Sequence, residues 1–370
     1  MDNNLVAFFS LIKAGLWEKE VQLSTKEPID YNEVFRLAEE QSVVGLLAAG
    51  IERIKNIKVP QEIALSVAGE VLQLELRNQA MNDFIAQLSA KLLNEGIVTL
   101  LVKGQGIAQC YGHPLWRASG DVDLLVSVED YDKAKKIIIP YSNSVEPEGE
   151  YSYHLGMNIR NWMVELHGSL RTGLGKRVDR LIDEVYAQTF RNKKFREWQY
   201  KDKSVLLPAI DDDIIFVFTH ILQHFYKGGV GLRQVCDWCR LIWMYQSDLN
   251  FDVLEYRLRK MDLMTEWKSF ASVAVNILGM PQNAMPFYSN KDKWSKKADR
   301  ISQYMIKVGN FGHNIENKRD SKFVIERKVF SATSIIRNTM RHFTLFPLNT
   351  IRISCFEIGL GVKATLGMKR

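Results

Sequence analysis

From residue 1 to about 95, apolar positions recur at steps of three and four, the spacing that lines one face of a helix. Tyr31-Asn32-Glu33-Val34-Phe35-Arg36-Leu37-Ala38 and Val43-Val44-Gly45-Leu46-Leu47 show it most clearly. Gln61 to Leu93 is nearly free of Gly and Pro and predicts one or two amphipathic helices. Between about 96 and 205 the period changes. Ile97 to Val102 is a β-branched and leucine run of strand length, and Val122 to Val126 is another. Tyr131 to Ile139 reads as a short helix entered through Ser127-Val128-Glu129-Asp130, which has the form of a capping box. Tyr153 to Ile159 and Trp162 to His167 read as two strands, with Arg160-Asn161 short enough to turn a hairpin. From about 206 helical spacing returns: Asp211 to Tyr226, then Leu232 to Tyr245, separated by Gly228-Gly229-Val230-Gly231. The expected fold class is therefore α+β. A small mixed-sheet core at 96–205 is flanked by an N-terminal helical region, 1–95, and a C-terminal helical domain, 206–370.

Composition changes this picture little. The 370 residues, 46% hydrophobic and 25% charged, are ordinary for a globular chain long enough for two or three domains. No run of eighteen or more apolar residues is present, which speaks against a membrane-spanning helix. The polar, acidic start Met1-Asp2-Asn3-Asn4 does not read as a secretory signal. Four cysteines are too few for a disulfide scaffold, so a cytoplasmic setting is expected. Charge is more telling, because the net +6 is unevenly spread. Residues 291–370 hold 17 Lys and Arg against 6 Asp and Glu, and the first 290 residues hold 32 against 37. This basic tail suits an anionic partner, or else a solvated helical face. Trp294, Tyr304, Phe311 and Phe323, interleaved there, read better as core than as stacking platforms.

The chemistry concentrates in two segments. Leu100-Leu101-Val102-Lys103-Gly104 is a strand running into a glycine turn, and Asp121-Val122-Asp123-Leu124-Leu125-Val126 is a strand carrying two acids. Residues two apart in a strand point the same way, so Asp121 and Asp123 converge. Convergent carboxylates repel unless a hard cation lies between them, and Mg²⁺ commonly arrives with nucleotide phosphates. The turn at Lys103-Gly104 can offer backbone amides to phosphate, and Lys103 is either a phosphate ligand or a charge at the strand end. Glu165 lies inside an apolar strand, where an unpaired carboxylate is costly, which favours a ligand. Arg117 either clamps phosphate or pairs with one of the aspartates. His167 shares a face with Glu165, and His154 lies on the preceding strand; each is a site residue or a hydrogen-bonded core residue. His220 and His224 have zinc-like spacing without an evident third ligand. Arg233 and Asp237, four apart, predict an intrahelical ion pair. Cys236-Asp237-Trp238-Cys239 has redox spacing but sits in a helix, where packing is the better account.

Taken together, Lys103-Gly104, Tyr111, Pro114, Arg117 and Gly120-Asp121-Val122-Asp123-Leu124-Leu125-Val126 resemble the signature of the nucleotidyltransferase superfamily, with its DNA polymerase β-like fold. The bacterial branch usually labelled nucleotidyltransferase family protein is similar further on as well, in Glu165-x-His167 and in Leu232-Arg233-x-x-x-Asp237. The resemblance spans roughly residues 30 to 245. It implies that Asp121, Asp123 and Glu165 are the catalytic residues and metal ligands for two Mg²⁺ ions, or Mn²⁺ in their place. Glu165 is also a candidate to receive the acceptor's proton. The resemblance makes Lys103, Gly104, Gln105, Arg117, Gly120, His167 and Arg233 nucleotide-binding candidates. The implied activity moves a nucleoside monophosphate from a nucleoside triphosphate such as ATP to an acceptor hydroxyl, releasing pyrophosphate. Small molecule, sugar or lipid-linked intermediate, protein and RNA all stay open as acceptors. A non-catalytic nucleotide-binding scaffold and a nucleotidylating toxin are the alternatives. One departure stands out: Gln105 occupies the position where the wider superfamily commonly carries a Ser.

Overall fold

The computed structural model describes residues 2–148, 153–309, 333 and 337–365. Helix α1 (Asn3–Trp17) starts at Asp2, whose carboxylate accepts from the amide of Asn4, and α2 (Tyr31–Glu40) starts at Asp30 in the same manner. Helix α3 (Val44–Ile51) lies directly on α1, and two glycines set the approach. A β-carbon on Gly50 would stand 2.1 Å from the carbonyl oxygen of Leu11, and one on Gly15 would stand 2.1 Å from that of Leu46. The segment beginning at Gln61 is one helix, α4 (Gln61–Asn94), 34 residues and about 50 Å long.

The sheet follows. Strands β1 (Leu100–Val102), β2 (Asp121–Leu125), β3 (Ser142–Val145), β4 (His154–Ile159) and β5 (Trp162–His167) lie in the order β1-β2-β5-β4-β3. Only β2 and β5 are parallel; every other pair is antiparallel, so the sheet is mixed. Helix α5 (Gly104–Ala108) follows β1, and α6 (Tyr131–Ile138) leads from β2 towards β3. The Asp130 amide donates to the Ser127 hydroxyl at 3.1 Å, realising half of the expected capping box. The Arg160-Asn161 connection turns the β4–β5 hairpin with Arg160 at φ 55°. At the outer margin, β3 is short and polar, and its register shifts between Ser142 and Ser144.

Period-two alternation divides the sheet between two cores. Leu101, Val122, Leu124, Val164 and Leu166 face α4 and α6, where Phe84, Ile85, Leu92, Tyr131 and Ile138 cover them. Leu100, Val102 and Leu125 face the opposite way, into a larger cluster of helical residues. That cluster joins α1–α3 with α7 (Lys176–Asn192), α8 (Ile210–Lys227), α9 (Leu232–Met244), α10 (Phe251–Met261), α11 (Met264–Ser272) and α12 (Asp292–Val308). It also takes Ile353 from α13 (Pro347–Thr365). Helices before and after the sheet thus share one apolar interior. The molecule is an α+β fold with helical flanks, as the patterning predicts. Helix α7 and the hairpin of β6 (Phe195–Tyr200) and β7 (Lys203–Pro208) are elements the patterning does not announce. Trp294 is buried and Tyr304 packs on the Phe225 ring, both in core roles; Phe311 and Phe323 lie outside the described residues.

Candidate active site

On the sheet face turned towards the helices, a cleft of about 830 Å³ opens over the ends of β2 and β5. Asp123 stands opposite Glu165 in the parallel register, and Asp121 opposite Met163. Ligand atoms of Asp121, Asp123 and Glu165 all lie within 4.8 Å of one another. Burial and the neighbouring Asp123 charge push the Asp121 carboxyl above its usual range. A dication fits this donor set of three hard oxygens.

The protein's own cations meet the trio. Lys103 Nζ is 2.8 Å from Asp123 Oδ1, and His167 Nε2 is 3.0 Å from the same oxygen. Asp123 is 2% exposed, so these contacts replace solvation it has lost. Burial pulls the Lys103 ammonium down, but the charges of Asp123, Asp121 and Glu165 outweigh it and leave its pKa raised. Lys103 is placed by a backbone that few side chains tolerate, φ 60° and ψ −151°. Glu165 is held well below the usual carboxylate range by hydrogen bonds with His154, 3.3 Å away, and His167, 3.4 Å away. His154, Glu165 and His167 form a second group with metal-ligand spacing, sharing Glu165 with the first.

Most of the expected residues line this cleft: Lys103, Gly104, Gly120, Asp121, Asp123, Glu165, His167 and Arg233. Two of the expected residues have side chains engaged elsewhere. The Gln105 side chain turns away from the cleft and donates to Asn78 Oδ1 at 2.7 Å, behind the sheet, which leaves only the backbone amide of this residue to face a phosphate. Arg117 reaches the cleft wall, but its guanidinium is committed to Asp237. Nε lies 2.8 Å from Oδ1 and an Nη 2.6 Å from Oδ2, with both side chains buried. Tyr111 donates to the same carboxylate at 2.7 Å. The aspartate expected to pair with Arg233 along the helix is therefore engaged across the fold, and Arg233 donates to the Ala118 carbonyl at 2.6 Å. Arg117 ties the segment before β2 to α9.

His220 and His224, four apart on α8, line up behind Lys103. His220 Nε2 is 3.5 Å from Lys103 Nζ, and His224 Nε2 is 3.1 Å from His220. Burial, then the Lys103 charge, lowers both imidazoles, His224 to about 4, so they stand neutral beside the ammonium. With Gln223 and Lys227 they form a polar stripe at helical spacing along α8, facing the cleft. That stripe is the signal in the sequence for these cleft residues. Cys236 and Cys239 are buried, with thiols pushed up by burial, and serve packing.

A family model described as an uncharacterised nucleotidyltransferase matches residues 27–279, well over half of the chain. No curated protein and no solved structure matches it.

Proposed function

The chain belongs to this family of uncharacterised nucleotidyltransferases, and from that premise we propose an Mg²⁺-dependent transfer of a nucleoside monophosphate to an acceptor hydroxyl. The observation that carries this reading is the in-register pairing of Asp123 with Glu165, which gathers three carboxylates at the cleft floor. Asp121, Asp123 and Glu165 would hold the metal. When bound, Mg²⁺ supplies charge to offset that developing on the phosphoryl oxygens and the departing pyrophosphate. Everything else is positioning by the chain's own groups. The Lys103 ammonium, strained into place and backed by neutral His220, faces the phosphates. Gly104 and Gly120 keep side chains out of their path, and Arg233 brings a cation from the helical side. Glu165, kept ionised by two histidines, is suited to accept the acceptor's proton.

Pyrophosphate release with Mg²⁺ and each nucleoside triphosphate tests the reading. Asp121→Ala, Asp123→Ala and Glu165→Gln should each lower turnover at least about a hundredfold while the chain still folds, as its helical circular dichroism reads. Full activity in any one of the three removes that residue from the centre.

A further inference from the structure

Helix α13 lies beyond the matched segment 27–279 and has two apolar faces with different surroundings. Its inner face sends Ile353 into the helical core and lines the active-site cleft with Phe356 and Leu360. Its outer face is solvent-exposed. Leu348 (68%), Ile351 (46%) and Ile358 (52%) stand there with Cys355 at helical spacing, so they make one stripe. Met340 (72%) and Phe343 (45%), on the helix at 337–343, add two more large exposed apolar side chains. Scattered exposed hydrophobes are normal, but a contiguous set marks a surface that meets something.

We propose that this face docks on an anionic lipid surface, with α13 lying in the headgroup region. Charge decides the occupant. The stripe belongs to the one part of the chain with a large excess of cations, 17 basic against 6 acidic residues over 291–370. One exposed member is close by: Arg300, whose guanidinium donates to Thr344 just ahead of α13. Exposed apolar side chains beside an excess of cations suit the interface of an anionic membrane, which attracts basic residues. No helix among the described residues is long and apolar enough to cross a membrane, so the association is peripheral. Fastening of α13 to the body supports a rigid docking surface. Asn349 donates to Glu266 Oε1 at 2.7 Å, and Arg352 pairs with Asp262.

The test uses the full chain and vesicles of phosphatidylcholine with phosphatidylglycerol, compared with phosphatidylcholine alone. Cys110, Cys236 and Cys239 are buried, so a thiol-reactive environment-sensitive dye reports from Cys355, on the stripe. Partition should be about tenfold or more stronger onto the anionic vesicles and should weaken with added salt. The dye emission should shift to the blue. The Leu348→Ser, Ile351→Ser, Ile358→Ser variant should lose the partition yet melt like wild type and release pyrophosphate at the wild-type rate without vesicles. Equal binding by variant and wild type, or none by wild type, overturns the proposal. So does a wild-type dimer in solution that the triple variant abolishes, which would make the face a contact between copies. Binding of an RNA homopolymer in place of vesicles overturns it too. None of these outcomes touches the carboxylate centre, which is read separately through pyrophosphate release.

Discussion

Lys103 combines a demanding backbone with a demanding charge. At φ 60° and ψ −151° it occupies a region that is essentially glycine's, at a cost of order 1–3 kcal/mol. The structure keeps lysine there because its ammonium meets Asp123. Lys103→Gly and Lys103→Ala should both lose activity, yet the glycine variant should be more stable by about 1 kcal/mol in denaturant unfolding, since only alanine retains the strain. Equal stabilities would mean that the turn relaxes freely. A second residue contributes to the pH response. His342 is 1% exposed among the rings of Phe225, Tyr226 and Tyr304, and burial, then the Arg341 charge, holds it down to about 3. In the unfolded chain it takes a proton near its ordinary 6.5. Falling pH therefore favours unfolding, by up to about 1.4 kcal/mol per unit below 6.5, and the contribution is intact above that value. Melting temperatures should drop between about pH 7 and pH 5 in wild type, and less in His342→Phe. Parallel slopes would exonerate this histidine.

Among the elements, those legible in advance are those whose pattern is local. The β4–β5 hairpin shows as two apolar runs around Arg160-Asn161, and β2 shows through its alternation, which also assigns Asp121 and Asp123 to one face. Hairpin β6–β7 escapes notice because Arg196, Glu197, Gln199, Lys203 and Ser204 dilute its alternation, leaving Trp198, Val205 and Leu207 as the buried signal. The α1–α3 crossing is also unreadable, since glycine serves equally as helix breaker and as contact surface. Here it is contact surface. Gly50→Ala should force the two helices apart and lower stability by about 1–3 kcal/mol, visible as a lower melting temperature with helix content retained. An unchanged transition would show that the pair can slide without cost.

Across the whole molecule, the site draws on residues from 103 to 360, and the distant partners are what the sequence hides. The carboxylate trio was foreseeable because two acids share a strand and the third sits in an apolar one. Nothing local announces that Arg117 would choose Asp237, 120 positions away, over the nearer aspartates. Nor does local pattern show that His220 would back Lys103 across 117 positions. The Arg117–Asp237 pair ties the segment before β2 to helix α9, so breaking it should loosen the cleft as a unit. Arg117→Ala should cost about 3–5 kcal/mol by leaving Asp237 buried and uncompensated, and Arg117→Met with Asp237→Leu should recover much of that loss. Urea unfolding of the two variants separates these outcomes. A single variant as stable as the double would show that water reaches the carboxylate.

One margin of the sheet has a consequence for how the protein behaves in a crowded solution. Strand β3 is four residues long, carries Ser142, Asn143 and Ser144, and breaks step with its neighbour at that point. A visiting strand from another molecule finds no long flat row of amides and carbonyls to zip onto there. Templated fibre growth is thereby denied a starting ledge beside a sheet whose inner strands are rich in valine and leucine.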